Sequence, residues 1–118
     1  MYGFFVSTGY NGNGADKIFE IRVTAELDVL DANHITNMTV SLFRNGRPFK
    51  SPDGKEVPPK NANFWDYVSD VKLGKEYQRM KKVRTAQVIF NGPFPGDGVY
   101  TAKVGISDGQ QKIVTIKM

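Results

Sequence analysis

The sequence lacks cysteine and contains a single histidine among its 118 residues. Without cysteine the chain can form neither a disulfide nor a thiolate metal site, a composition that suits a reducing compartment without excluding export. No apolar run approaches the ~20 residues that span a bilayer, and residues 1–6 lack the basic region of a signal peptide. We therefore expect neither a signal peptide nor membrane insertion, and a cytoplasmic or virion-associated location is the most compatible one.

Residue patterns that support catalysis are also scarce. His34 is the one histidine, and the sequence has no Gly-x-Ser-x-Gly motif, so a serine nucleophile would lack both its base and its usual context. Glu20 and Glu26 lie six residues apart, which is about 20 Å along a strand and too far for the paired carboxylates of a glycosidase. We predict that the protein is not an enzyme.

Metal and phosphate sites are not indicated either. Asp28, Asp31 and Asn33 offer oxygen ligands, but they lack the spacing of a calcium-binding loop. The glycines at 9–14 are not followed by the Gly-Lys-Ser/Thr of a phosphate-binding loop. We predict no metal and no cofactor.

What the sequence does contain is a strong β-strand pattern. Apolar and polar residues alternate over 17–30, which is typical of an antiparallel strand with one wet face, and the length of this run predicts a bend, a bulge or a switch between sheets. Similar alternation occupies 35–44, 83–90 and 98–118, the last divided by Asp108-Gly109 into a hairpin. The positions predicted to face a core are Phe19, Ile21, Val23, Ala25, Leu27, Val29, Met38, Val40, Leu42, Ala86, Val88, Phe90, Tyr100, Ala102, Val104, Ile106, Val114, Ile116 and Met118.

Turn-forming residues separate these strands. Asn45-Gly46 predicts a two-residue hairpin turn. Pro48 removes a backbone donor, so the returning strand is predicted to be short or at an edge. Residues 7–16 and 51–60, which are rich in glycine, asparagine, proline or lysine, are predicted loops.

One segment departs from the strand pattern. From 63 to 74, apolar residues recur at three- and four-residue spacing. Asn63 can cap the start of a helix there, and Gly74 can end it. This spacing predicts one short helix in the 63–82 segment.

The C-terminal strands resemble those of a known superfamily. The run Pro95-Gly-Asp-Gly-Val-Tyr100, followed by Thr101-Ala-Lys-Val104, a hairpin and a last strand, is similar to the end of immunoglobulin-like and fibronectin-like sandwiches. The resemblance implies an all-β, antiparallel two-sheet Ig-like sandwich formed by a single domain over 1–118. It also implies that Tyr100 folds its hydroxyl back onto nearby backbone, whereas the alternative is a simple core aromatic. The chain departs from antibody domains because it has no cysteine pair.

Basic and aromatic residues cluster in the middle of the chain. The whole chain has a net charge of +4, and residues 72–84 hold six Lys or Arg and one acid, Glu76. Cations neutralise phosphates or acidic side chains and aromatic rings stack on bases, so this segment is a candidate interaction surface. The alternative is a solvated charged face beside core aromatics. The candidate residues are Trp65, Tyr67, Lys72, Lys75, Tyr77, Arg79, Lys81, Lys82 and Arg84.

Three functions follow as hypotheses. The favoured one is a non-enzymatic protein-interaction or structural module of a phage, virion or surface assembly, with a protein partner contacting the loops at 7–16 and 51–62 and the aromatic segment 64–77. The second is a nucleic-acid-binding protein that uses the basic 72–84 segment. The third is a protease-inhibitor-like domain that presents Val57-Pro58-Pro59 to a protease.

Overall fold

Two antiparallel β-sheets pack face to face as a sandwich. The computed structural model describes residues 4–13, 17–27, 34–51, 53–73 and 77–116, and these contain nine strands. The strands are β1 (Phe4–Asn13), β2 (Lys17–Leu27), β3 (Asn37–Arg44), β4 (Arg47–Pro48), β5 (Lys60–Asn63), β6 (Trp65–Leu73), β7 (Tyr77–Pro95), β8 (Tyr100–Ile106) and β9 (Gln111–Ile116). Sheet A has the order β1-β2-β7-β6; sheet B has the order β4-β3-β8-β9, and β5 also pairs with β3. The predicted all-β, two-sheet fold is confirmed and is compatible with an Ig-like arrangement at a coarse level.

The inward faces of the two sheets share one apolar core. Strands β2 and β7 of sheet A supply one side of it, and β3 and β8 of sheet B supply the other. Burial of each large apolar side chain contributes about 1.5–3 kcal/mol, so these facing rows hold the sheets together. The predicted core positions that are buried in these strands are Ile21, Val23, Ala25, Leu27, Met38, Val40, Leu42, Ala86, Val88, Phe90, Tyr100, Ala102, Val104 and Ile106. In β9, Ile116 is buried and Val114 packs against the core.

The predicted irregularity in β2 is present as a bulge. The register between β2 and β7 shifts between Ile18 and Glu20. As a result Ile18 is 2% exposed, whereas Phe19 is 49% exposed. A bulge reverses which face the following residues occupy, so the prediction of Phe19 as a core residue is wrong. The predicted core residues Val29 and Met118 lie outside the described residues.

Both predicted hairpins are present, and the Asn45-Gly46 turn has the predicted two-residue form, whereas the loop at Asp108-Gly109 spans 107–110. Asn45 and Gly46 adopt φ angles of 53° and 79°, the positive values that a tight two-residue turn needs. The strand that follows is the two-residue β4 at the edge of sheet B, as Pro48 predicts. At the other turn Gly109 has φ of 92°, and the Asp108 carboxylate accepts a hydrogen bond of 2.9 Å from the Gln110 N–H.

The predicted helix in the 63–82 segment is wrong, because the described residues 65–73 and 77–82 form β6 and the first part of β7. The two strands pair without interruption from Trp65↔Thr85 to Leu73↔Tyr77. The spacing of the apolar residues fits a helix, but aromatic and β-branched residues also favour strands, and pairing with a second strand overrides local propensity. No helix in the described part of the chain is long and apolar enough to cross a bilayer.

The predicted loop at 7–16 is wrong for residues 7–13, which belong to β1. This strand pairs with β2 from Phe4↔Leu27 to Asn13↔Lys17. The lack of a side chain at Gly9 leaves room for Arg22, which lies across it. A Cβ at Gly9 would be only 3.2 Å from Arg22 Nη2. Residues 14–16 lie outside the described residues.

The chain crosses from sheet B to sheet A at Phe64. Strand β5 before it pairs with β3, and strand β6 after it pairs with β7. Phe64 is buried, and its N–H donates a hydrogen bond of 3.0 Å to the Thr36 carbonyl. Because of this crossing, β6 pairs with β7 only between Tyr77 and Thr85.

Candidate interaction surface

Strands β6 and β7 pair with each other beyond the last described pair of β2 and β7. That pair is Leu27↔Arg84, and residues 28–33 lie outside the described residues. Beyond it, β6 and β7 pair with each other for seven further steps, from Tyr67↔Val83 to Leu73↔Tyr77. We call residues 67–73 and 77–83 the hairpin arm. Within the described residues, no third strand pairs with the arm.

The dimensions of the molecule reflect this long hairpin. Strand β7 has 19 residues, whereas the longest strand of sheet B, β3, has eight. At about 3.3 Å per residue, β3 covers less than half the length of β7. The molecule measures 53 × 33 × 18 Å with a radius of gyration of 16.4 Å, against about 13.5 Å for a compact chain of this length. Sheet A is therefore much longer than the sheet that packs on it.

Arg84 anchors the base of the arm. Its Nε donates to Asp66 Oδ1 at 2.7 Å, and its Nη1 donates to the Ile35 carbonyl oxygen at 2.7 Å. The Arg84 side chain is only 17% exposed. Charge-assisted hydrogen bonds of this kind are stronger when shielded from water than at an open surface. The guanidinium thus joins β6, β7 and the segment before β3.

The predicted surface residues fall on one structural element. Eight of the nine lie on β6 and β7, and Lys75 lies outside the described residues. Trp65 opens β6 opposite Thr85 and is 56% exposed. Arg84 occupies the anchor at the base. The residues whose backbone positions lie along the arm are Tyr67, Lys72, Tyr77, Arg79, Lys81 and Lys82.

The pairing register divides the basic positions of the arm between its two faces. Lys81 pairs with Ser69 and Arg79 pairs with Val71, both an even number of steps from the Trp65↔Thr85 pair. Since positions alternate between the faces of a strand, 79 and 81 belong to the face of Trp65, together with 67 and 77. Positions 72 and 82 belong to the opposite face. One face of the arm therefore interleaves basic and aromatic positions.

A cavity lies between the sheets, beside the part of β7 that does not pair with β6. The sequence did not predict it. It has a volume of 240 Å³ and is lined by Phe49, Ser51, Val57, Lys60, Phe90, Asn91, Gly92, Pro93 and Phe94. Lys60 Nζ donates to the Ile89 carbonyl at 2.7 Å and lies 5.5 Å from the centre of the Phe90 ring. Sites for small molecules usually measure about 300–1,000 Å³, so this cavity suits a single side chain better than a cofactor. No local motif marks it, because its walls come from two distant segments.

The loop after β4 is tied to the sandwich. The Ser51 hydroxyl donates to the Asp53 carboxylate, and this bond, with a second from the Lys55 N–H, lowers the pKa of Asp53 from its ordinary value. The Val57 N–H donates to the Phe49 carbonyl at 2.9 Å, and Val57 packs against the core. Of the predicted protease-contact sequence Val57-Pro58-Pro59, the first residue is thus held by the fold and the two prolines are exposed.

Comparison with known proteins assigns no family. No protein-family model matches the chain. No curated protein matches it either.

Among the residues that the structure describes, no three His, Asp or Glu side chains form a group that could hold a metal ion. The candidate site is the hairpin arm with its base at Trp65 and Arg84, because eight of the nine predicted surface residues lie there.

Proposed function

We propose that this protein is a non-enzymatic interaction or structural module of a larger assembly, and that the hairpin arm is its contact element for a protein partner. The observation that carries the proposal is the run of seven β6–β7 pairs with no third strand among the described residues. A two-stranded hairpin is at best marginally stable in water without further packing. A partner that packs on the arm would supply such packing.

The composition of the arm supports a protein interface. The arm sequence includes the apolar or aromatic residues Tyr67, Val68, Val71, Leu73, Tyr77 and Met80. The longest strand of sheet B has eight residues, against the 19 of β7, so sheet B is too short to cover the whole hairpin. Aromatic residues, methionine and arginine are enriched in protein interfaces. Basic residues outnumber acidic ones in the arm, so the surface that it contacts is expected to be acidic.

We also propose that the sandwich is Ig-like in topology. The order β1-β2-β7-β6 corresponds to strands A-B-E-D of that fold, and β9-β8-β3-β4 corresponds to G-F-C-C′. Tyr100 opens the strand that corresponds to F, where many Ig-like domains carry a corner tyrosine, and its hydroxyl donates to the Pro95 carbonyl. In this correspondence the arm is an extended D–E hairpin.

The proposed function is tested by photo-crosslinking in the cells that produce the protein. A benzophenone side chain is placed at position 67 or 79 on the arm, or at position 103 or 113 in sheet B as a control, since Lys103 and Ile113 are exposed in strands away from the arm. The arm positions are expected to give a discrete protein adduct, and the sheet B positions much less of it. Equal yields at all four positions, or none at 67 and 79, would overturn the proposal.

Nucleic-acid binding is a second candidate, favoured by the face that interleaves positions 65, 67, 77, 79 and 81. Cations and aromatic rings along one face suit a single strand, whose phosphates and bases they contact respectively. Binding to single-stranded DNA would then weaken steeply with added salt, and Arg79→Glu with Lys81→Glu would weaken it further. Affinity that is independent of salt, or unaffected by these substitutions, would rule this candidate out.

A further inference from the structure

The outer edge of β1 is a second unpaired feature, on the opposite side of sheet A from the arm. Strand β1 is ten residues long and stands at the end of the order β1-β2-β7-β6. In the described part of the chain, no strand pairs with its outer side. An edge of this kind presents a row of backbone donors and acceptors that a further strand can use.

Two side-chain hydrogen bonds establish which backbone groups of β1 point outward. Lys112 of β9 donates through Nζ to the Phe4 carbonyl from outside sheet A. Thr85 Oγ1 donates to the Ala25 carbonyl at 3.1 Å, so this carbonyl faces β7 and not Val6, its partner in β1. Because the N–H and C=O of one residue share a side in an antiparallel strand and alternate along it, those of Val6, Thr8 and Tyr10 face outward.

This edge lacks the usual protection against further pairing. The ten residues of β1, Phe-Phe-Val-Ser-Thr-Gly-Tyr-Asn-Gly-Asn, include no charged residue and no proline. Natural edges are commonly blocked by lysine, proline or a bulge. Three other edge strands follow that practice: β4 carries Arg47 and Pro48, β5 carries Lys60, and β9 carries Lys112. On β1, the Lys112 bond covers only the Phe4 end, and the one bulge, between Asn11 and Gly12, lies at the other end.

We propose that the β1 edge pairs with the β1 edge of a second copy of this chain, antiparallel about a two-fold axis at Thr8. In this register Val6 lies opposite Tyr10 of the second copy, and Thr8 lies opposite Thr8. These outward-facing residues form three hydrogen-bonded pairs with two bonds each, hence six backbone hydrogen bonds, and the Lys112–Phe4 bond is left in place. The two four-stranded sheets join into one of eight strands.

A second copy of the chain fits the β1 edge because β1 carries no charged residue. In a two-fold contact each residue meets residues of the same strand, so any charge on the strand would approach its own copy. Like charges across neighbouring strands are destabilising. The β1 edge carries none, and threonine opposite threonine is a favourable cross-strand pair. The contact is independent of the hairpin arm, so it extends the proposed function without resting on it.

A matched pair of lysine substitutions tests the proposal. Ser7 and Gln87 are both exposed, and both pair with Thr24 of β2, one from the edge strand and one from the interior strand β7. Sedimentation equilibrium of the full chain from about 1 to 500 µM is expected to show a dimer of micromolar affinity, typical of a small interface. Ser7 lies diagonal to Ser7 of the second copy, so Ser7→Lys should weaken the dimer about two- to fivefold through like-charge repulsion, and Gln87→Lys should leave it unchanged.

A backbone substitution gives an independent readout. Thr8→Pro removes an outward N–H that makes no bond to β2, so it should abolish the dimer while the circular dichroism melt stays close to wild type. In the wild type, the Thr8 amide should gain hydrogen-exchange protection as concentration rises. A wild-type monomer throughout the range, or equal association of Ser7→Lys and Gln87→Lys, would overturn the proposal. Substitutions in the hairpin arm should leave the dimer intact. Failure of the dimer proposal can therefore be told apart from failure of the proposed function.

Discussion

The hydroxyl of Tyr100 donates a hydrogen bond of 2.8 Å to the carbonyl oxygen of Pro95, five residues earlier in the chain. The tyrosine ring is fully buried, and its centre lies 5.7 Å from that of Phe49 and 6.5 Å from that of Phe94. The two alternatives that the sequence left open therefore hold together, because Tyr100 is a core aromatic and also folds its hydroxyl onto the backbone. This bond ties the end of β7 in sheet A to the start of β8 in sheet B.

Tyr100→Phe should lower the free energy of unfolding by about 1–2 kcal/mol, because the Pro95 carbonyl loses its donor while the ring still fits the core. Urea denaturation at neutral pH measures the change. Tyr10→Phe is the control: Tyr10 is 38% exposed, and its change should stay within about 0.5 kcal/mol. Equal stabilities of the two variants would contradict the assignment of a stabilising role to the corner bond.

The same residue gives a pH dependence with a defined sign. Burial raises the pKa of Tyr100 above its ordinary value of 10.0. As pH rises past about 10, the unfolded chain loses this phenolic proton before the folded protein does, so the contribution to stability that is complete below pH 10 is lost above it. The stability difference between wild type and Tyr100→Phe should therefore shrink between about pH 9 and pH 11. A difference that grows over this interval would contradict the direction of the shift.

Gly92→Ala should destabilise the fold by about 2 kcal/mol or more. A Cβ at this position would be 2.3 Å from the Ile18 carbonyl oxygen and 2.8 Å from the Phe94 nitrogen. Both are backbone atoms at the bulge between β2 and β7, so a strand has to move. Gly105→Ala is the matched control, because its Cβ would meet nothing closer than Gln111 Cγ at 3.8 Å. Thermal melts that show equal losses for the two variants would contradict the close packing at Gly92.

Arg84→Leu should cost about 2–3 kcal/mol of unfolding free energy, because the Asp66 carboxylate and the Ile35 carbonyl both lose a charged donor. The loss should appear locally as well, as faster amide exchange at Trp65 and Asp66. Arg47→Leu removes the same charge from an exposed position in β4 and should change stability by less than about 0.5 kcal/mol. Similar effects of the two substitutions would remove the case for an anchor at the base of the arm.

The elements predicted correctly are those that local chemistry determines. Strands β3 and β8 alternate cleanly, and Asn45-Gly46 and Asp108-Gly109 favour tight turns in any context. The length of β2 predicts a bend, a bulge or a switch between sheets, but the position of the bulge depends on how β7 pairs with β2. The alternation alone therefore predicts Phe19 in the core, whereas its neighbour Ile18 lies there.

The errors come from pairing between distant segments. The apolar spacing in β6 fits a helix and a strand alike, and the register with 77–85 decides between them. Likewise β1 is poor in strand-forming residues after Val6, yet the ladder with β2 extends it to Asn13. The basic cluster was visible in the sequence. The sequence alone does not show how the basic positions divide between the two faces of the arm, because this division depends on the strand register.

The most direct test of the central claim is the binding of the purified native partner, once identified by crosslinking, to two charge-reversed variants. Arg79→Glu with Lys81→Glu alters the arm, and Lys55→Glu with Lys103→Glu makes the same charge change at exposed positions elsewhere. If the arm is the contact element, the dissociation constant should rise at least about tenfold for the arm variant, equivalent to 1.4 kcal/mol, and less than about twofold for the other. Equal weakening by both variants, or no weakening by the arm variant while its fold is intact, would contradict the account.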